Sequence, residues 1–402
     1  MAENKEKKVL NVPNLRFPEF EGEWEECRLG EIGKLYKGVG ISKDQLSDNG
    51  EPCILYGELY TKYKSEVINE VISKTNISDN KLVRSNANDV IIPCSGETAE
   101  DIATARCVLN DNVLLGGDLN IIRLHKDNGL FMSYQLNGKR KYDIARVSQG
   151  VSVVHLYGEH LKGIKTYCPN LDEQNKIATF LSLLDERIAT QNKIIEDLKK
   201  LKSAISKQVF VQIPNEWNRL DTLFSKGKAG GTPTSTNKDY YNGDIPFLSI
   251  NDITKQGKYI KYTENHLSQS GLENSSAWII PKYSLIMSMY ASVGLVTINE
   301  IPIATSQAMF AMQLKDTNLL DYLYYYLSHF RYRHLYKYIE TGTQSNINAD
   351  TVRRIMIPNY GHSRNIEIAS TLKSIDAKID NELSILELLN GQKQYLLRQM
   401  FI

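Results

Sequence analysis

Apolar residues from Ile177 onward fall on a single seam, Ile177, Leu181, Leu184, Ile188, Ile195, Leu198, Ile205 and Val209, and with Gln191 and Lys202 filling its two gaps the steps alternate four and three. That period predicts a long helix, from about Asp172 to Val211, packed against another helix. Gln191 and Lys202 interrupt the seam, where a polar group costs stability unless it is partnered or reaches water. The same pattern returns 191 positions on, as Ile368, Leu372, Ile375, Ile379, Leu386, Leu389, Leu396 and Met400, with Glu382 and Lys393 at the interruptions. Ala178/Ala369, Asp185/Asp376, Glu196/Glu387, Gln208/Gln399 and Phe210/Phe401 match at that offset too. A repeat that reproduces its own polar breaks is an internal duplication.

Around each long helix the order of signals is the same. A tryptophan (Trp24, Trp217) opens each copy, and short β-rich runs follow, PCILYG and DVIIPC in the first and IPFLSI and AWIIPKYSLIMSMY in the second. A shorter helix comes next, then a Gly/Ser/Gln/Thr turn, a proline (Pro169, Pro358) and the long helix; Asn170 and Glu173 have capping-box spacing. The expected fold is α+β: two mixed α/β domains, residues 1–168 and 213–358, alternating with two long helices, 169–212 and 359–402. One such helix spans roughly 60 Å at about 1.5 Å per residue. Because only QIPNE links the first helix to Trp217, antiparallel pairing satisfies both seams and gives a pseudo-two-fold object with two heads on a rigid spacer. In that arrangement Gln191 and Glu382 are read as register devices, with Lys202 free to meet Glu382. For Lys202 and Lys393, register and simple snorkelling both stand.

Composition narrows the class. With 402 residues the chain has room for two or three domains. Its five cysteines form no CxxC pair, which argues for reduced thiols and a cytoplasmic setting. No run is apolar enough to span a bilayer, and a net charge of +1 gives nucleic acid no bulk attraction, so any such binding has to come from local patches. There is no GxxxxGK[ST] loop, no Pro-Pro and hence no (D/N)PPY, and no HExxH; HLYGEH at 155–160 lacks a third ligand nearby and reads as a surface or packing feature. The weight falls on binding rather than catalysis.

Basic and aromatic residues interleave in SHFRYRHLYKY (328–338), which carries Arg331, Arg333 and Lys337. Lys139, Arg140, Lys141 and Arg146 lie at the equivalent place in the first copy, and the recurrence favours phosphate contacts over a solvated face. Leu320, Leu323, Leu327 and Phe330 form a core stripe that leaves the Tyr and Arg faces partly free. Loops of the first head offer Lys37, Tyr56, Glu58, Tyr60, Lys62, Ser95, Glu97, Thr98, Asp118, Asn120, Gln149 and Ser152. Those of the second offer Thr232, Thr234, Ser249, Asn251, Asp252, Lys255, Tyr290, Ser292, Ser306 and Gln307, and the turn before the second helix adds Thr343, Gln344, Ser345 and Asn346. Such side chains suit base edges, although each is also a common turn former. The helices match between copies while these loops diverge, as one scaffold reading two sequences requires.

The segments PNLRFPEFEGEW, GGTPTSTNKDYYNGDIPFLSINDI and PNLDEQNKIATFLSLLDERI make the chain resemble the specificity subunit of type I restriction–modification enzymes over nearly its whole length. The resemblance implies two target-recognition domains, each reading half of a split site in double-stranded DNA, with the helices setting the gap. It implies docking to two modification subunits, which use S-adenosylmethionine to methylate adenine, and to restriction subunits that use ATP and magnesium for translocation and cleavage. No cofactor, metal or catalysis is thereby assigned to this chain. Thr341–Asn346 matches the family's Gly/Thr/Gln turn; SQGVS (148–152) departs from it, and HSRNIEIA (362–369) departs from the acidic-Gln helix start seen as DEQNKIA (172–178). The competing readings are a coiled-coil adaptor that binds proteins through its heads, and an enzyme with an unfamiliar site.

Overall fold

A computed structural model describes residues 10–78, 81–150, 152–290, 292–333, 335 and 346–402. Two compact units divide the chain, residues 1–193 with 384–402 and residues 194–383. The long helices run Leu171–Phe210 and His362–Gln399, and each contributes one end to each unit. Every seam position named above is buried or half-buried, Gln191 and Glu382 included.

The two heads repeat one topology. In the first, a five-stranded sheet has the order Gly33–Lys37, Leu119–Leu124, Asp89–Pro93, Arg106–Val108, Val67–Ile68. The second matches it strand for strand with Phe224–Ala229, Met309–Leu314, Leu285–Ser288, Val296–Asn299 and Tyr259–Ile260. A second sheet sets Glu51–Ile54 parallel to Leu114–Leu115 in the first head and Tyr241–Leu248 parallel to Ala304–Thr305 in the second. Each head closes with an antiparallel ribbon that leads into a long helix: Glu25–Arg28 with Lys165–Cys168, and Glu216–Arg219 with Met356–Asn359.

Within each unit the helix ends pack antiparallel. In the first, Ile177, Leu181 and Leu184 share a core with Leu389, Leu396, Met400 and Phe401. In the second, Phe210 shares one with Ile368, Ala369 and Leu372. The seam lysines find acids in the other repeat. Lys393 pairs with Asp185 at 2.6 Å in the first unit, and Lys202 pairs with Asp376 at 2.5 Å in the second. A tyrosine hydroxyl donates to each aspartate, Tyr134 to Asp185 and Tyr325 to Asp376, both at 2.7 Å. Each lysine also lies over its tyrosine ring. The same Lys–Asp–Tyr cluster is therefore built twice. The partner of Lys202 is Asp376 and not Glu382, whose carboxylate accepts from Lys378 one turn away. Lys393 is too enclosed and too well paired for snorkelling. One neighbour differs in sign: Glu66 joins the first cluster through Lys393, whereas Lys258 holds the corresponding place in the second and donates to Tyr325 at 3.0 Å.

Two expectations need correction. The tyrosine face of Leu320–Arg333 is free only in part: Tyr332 is exposed, but Tyr322, Tyr325 and Tyr326 are buried, and their hydroxyls donate to Pro358 O, Asp376 and Met356 O. Asn170 caps the first helix by accepting from the Glu173 amide at 2.9 Å, but the Glu173 side chain turns away to Arg16 and Trp24 instead of completing a box.

Candidate nucleic-acid interface

Strand direction brings the divergent loops of each head to one edge. In the first head the strands ending at Lys37, Ile54, Pro93 and Leu115 all release their chains there. The loops then bind one another: Gly38 N–H donates to Leu119 O, Gly116 N–H to Ile54 O and Cys94 N–H to Asp118 O. The second head repeats this after Ala229, Leu248, Ser288 and Thr305, with Gly231 N–H donating to Thr305 O and Met289 N–H to Ala308 O. Gly38 and Gly230 occupy equivalent crossings, where a Cβ would lie 1.9 Å from a backbone carbonyl oxygen. Only glycine allows that approach.

Not all the residues expected at this edge face solvent. Glu58 and Asp252 hold the same place in the two heads, each accepting from the amide three residues earlier, Leu55 at 3.0 Å and Ser249 at 2.8 Å. Both are buried, and Glu58 also takes Lys62 at 2.7 Å. These carboxylates build the short helices Glu58–Thr61 and Ile250–Gln256, and neither is presented outward. Asn120 is buried too, donating to Leu156 O. Thr98 caps Ala99–Ile102 while remaining exposed. Asp252 accepts from Ser249 N–H, Ser249 Oγ and Glu264 N–H. Leaving buried donors unsatisfied costs about 1–3 kcal/mol, so Asp252→Ala is expected to lower the second unit's stability by about that amount, read as a lower midpoint in thermal unfolding.

The outward group in the first head comprises Lys37, 3.9 Å from Asp118, together with Tyr56, Glu97, Gln149 and Ser152. Asp118 takes a left-handed φ of 59°. Tyr60 is half-buried and donates to Ser95 O at 2.9 Å, while Ser95 Oγ lies 3.2 Å from His155 Nδ1. Burial pushes the Tyr60 phenol up, so it stays neutral. Two open clefts, of about 700 and 910 Å³, flank the Tyr56–Gly57 ridge. Lys64 and Lys43, which were not among the expected contacts, line one cleft each.

In the second head Thr232 Oγ1 donates to Gln307 Oε1 at 2.5 Å, next to half-buried Ser306. Asn251 and Lys255 both engage Glu264. Thr234, Tyr290 and Ser292 are exposed, and Tyr290 forms a bridge with Asn346. Thr343, Gln344, Ser345 and Lys337 lie outside the described residues. Of the basic residues, Arg140 donates to Ile402 O at 2.6 Å and Arg331 to Val293 O at 2.9 Å. Lys139 and Lys141 are half-buried, and Arg146 and Arg333 point to solvent. Among the described residues no three His, Cys, Asp or Glu side chains are grouped to hold a metal, and no helix is long and apolar enough to cross a membrane.

Duplicated mixed α/β heads joined to paired long helices define a tandem-repeat class whose variable loops share one edge. Residues 21–200 and 214–390 each match the model of the type I restriction modification DNA specificity domain, and the chain belongs to that family. It is 27% identical over 194 residues to the MjaIX specificity subunit of Methanocaldococcus jannaschii, covering 48% of this chain and 45% of that one. To the MjaVIII specificity subunit of the same organism it is 28% identical over 264 residues, covering 65% and 56%. These matches therefore span about half the length of each relative. The fold is that of the specificity subunit from M. genitalium, with a TM-score of 0.61 at 16% identity, covering 97% of this chain and 99% of that one. A structure described for assembly and conformational transition of a type I system gives a TM-score of 0.59 at 16% identity, covering 94% and 97%.

Proposed function

We propose that this chain is the non-catalytic recognition subunit of a type I restriction–modification complex, with each head reading one half of a bipartite duplex site. The target-recognition domains are residues 1–168 and 213–358; the helices at 169–212 and 359–402 fix the unread gap and dock two modification subunits. Methyl transfer with S-adenosylmethionine, and ATP- and magnesium-dependent translocation and cleavage, belong to the partner subunits. The setting is cytoplasmic.

The observation that carries this reading is conserved geometry with changed chemistry. Equivalent edge positions hold Lys37 and Ala229, Ser95 and Tyr290, Glu97 and Ser292, Asp118 and Ala308, on loops tied by matching backbone hydrogen bonds. A scaffold held constant beneath divergent side chains is what two different half-sites need, because base edges are told apart by donor and acceptor pattern.

Replacing residues 24–168 with the head of another family member is expected to change one half of the methylated motif and leave the other intact. Mapping methylated adenines in cells carrying the chimera checks this, and change in both halves sinks it. The assembled complex is also expected to lose affinity for random duplex steeply as salt rises, through phosphate contacts. A protein-binding adaptor would show no such slope.

A further inference from the structure

Glu97 lies on the reading edge of the first head, and its backbone is held on both sides. Ser95–Gly96 pairs with Val154–His155 before it, and Thr98 caps Ala99–Ile102 after it by accepting from the Asp101 amide at 3.1 Å. The side chain is exposed and borders the cleft beside Tyr56 and Tyr60. Two cations share that cleft and both are committed elsewhere: Arg106 donates to Tyr63 O and Ala105 O, and Lys64 to Tyr60 O. Glu97 has no ion-pair partner among the described residues.

An unpaired carboxylate that a held backbone brings to DNA is repelled by phosphate and by the N7 and O6 acceptors of guanine, and is favoured where it meets a donor. In the major groove the donors are the cytosine N4 and adenine N6 amino groups; adenine sets its N7 acceptor beside the amino group, and cytosine does not. We propose that Glu97 is a specificity-determining residue that selects cytosine at one position of the first half-site, an inference that rests on the recognition reading above. Two residues past the shared Ser95/Tyr290 position the second head has Ser292, which lacks this charge.

The test is motif mapping in cells that carry the modification subunits with the native chain, E97Q or E97A, alongside binding of each assembled complex to duplexes changed one base pair at a time. The native half-site assigned to this head by the head exchange is expected to hold an invariant G·C pair. Both variants are expected to lose about tenfold or more discrimination at that pair, with the other half still read strictly as the control for folding. Should methylation vanish in a variant, the duplex panel still reads the preference. A half-site without an invariant G·C pair, or variants as selective as the native chain at every position, overturns the assignment to Glu97 while bipartite recognition stands. A native motif that is not bipartite overturns the recognition reading itself.

Discussion

Lys393→Met is expected to cost the first unit about 3–5 kcal/mol, because removing one partner strands buried charges. Lys393 serves both Asp185 and Glu66, and all three side chains are at least 87% buried. Burial raises the Glu66 pKa, and Asp185 adds to the rise. A carboxyl whose folded pKa is raised favours the protonated fold. Its contribution to stability is therefore full below the ordinary glutamate value and is lost as pH rises through the folded pKa. The deficit of Lys393→Met is accordingly largest at neutral pH and shrinks as pH falls toward the carboxylate range. Glu66→Gln, which removes the surplus negative charge and keeps an acceptor for Asn137, is expected to stay within about 1 kcal/mol of the native chain. Urea unfolding followed at Trp24, with Trp217 and Trp278 replaced by phenylalanine, measures both. Equal effects of the two substitutions would remove the account of one lysine shared by two acids.

Trp24→Ala is expected to cost about 3–5 kcal/mol, the range for a fully buried aromatic, while Trp217→Ala stays within about 0.5 kcal/mol. Trp24 immediately precedes the ribbon strand Glu25–Arg28, whereas Trp217 lies within Glu216–Arg219 at the place Glu26 holds in the first copy; Trp24 is 1% exposed and Trp217 is 51% exposed. Trp24 packs against Phe131 at 5.7 Å and Phe401 at 6.3 Å, and its indole donates to Glu173, which Arg16 also grips. In the second copy Asn215 stands at the place of Trp24 and Arg364 at that of Glu173, so neither the indole nor its acceptor recurs. Thermal melts of the two variants side by side decide the matter; a large loss for Trp217→Ala would count against it.

The duplication and the long helices were legible because a buried seam leaves a period in the chain, and burial follows it residue by residue. The lysine partners were harder to read, since pairing across helices depends on axial stagger, which no period encodes. A signal existed all the same: Tyr134 and Tyr325 keep the 191-residue offset of Asp185 and Asp376. In the heads, Glu58 and Asp252 looked like base readers because a capping carboxylate and a reading one have the same composition; only burial separates them. The tyrosines of Leu320–Arg333 misled for a related reason. Their hydroxyls suit a wet face, but those of Tyr322, Tyr325 and Tyr326 have acceptors inside.

The unit formed by residues 194–383 is contiguous, whereas the other needs residues 384–402 to complete a core that contains Phe401 and Trp24. On the ribosome, the head made first is therefore finished last. It waits, without the face that Phe401 gives Trp24, until the closing helix has emerged, and a message cut short just after residue 383 costs the earlier domain part of its packing while leaving the later one contiguous.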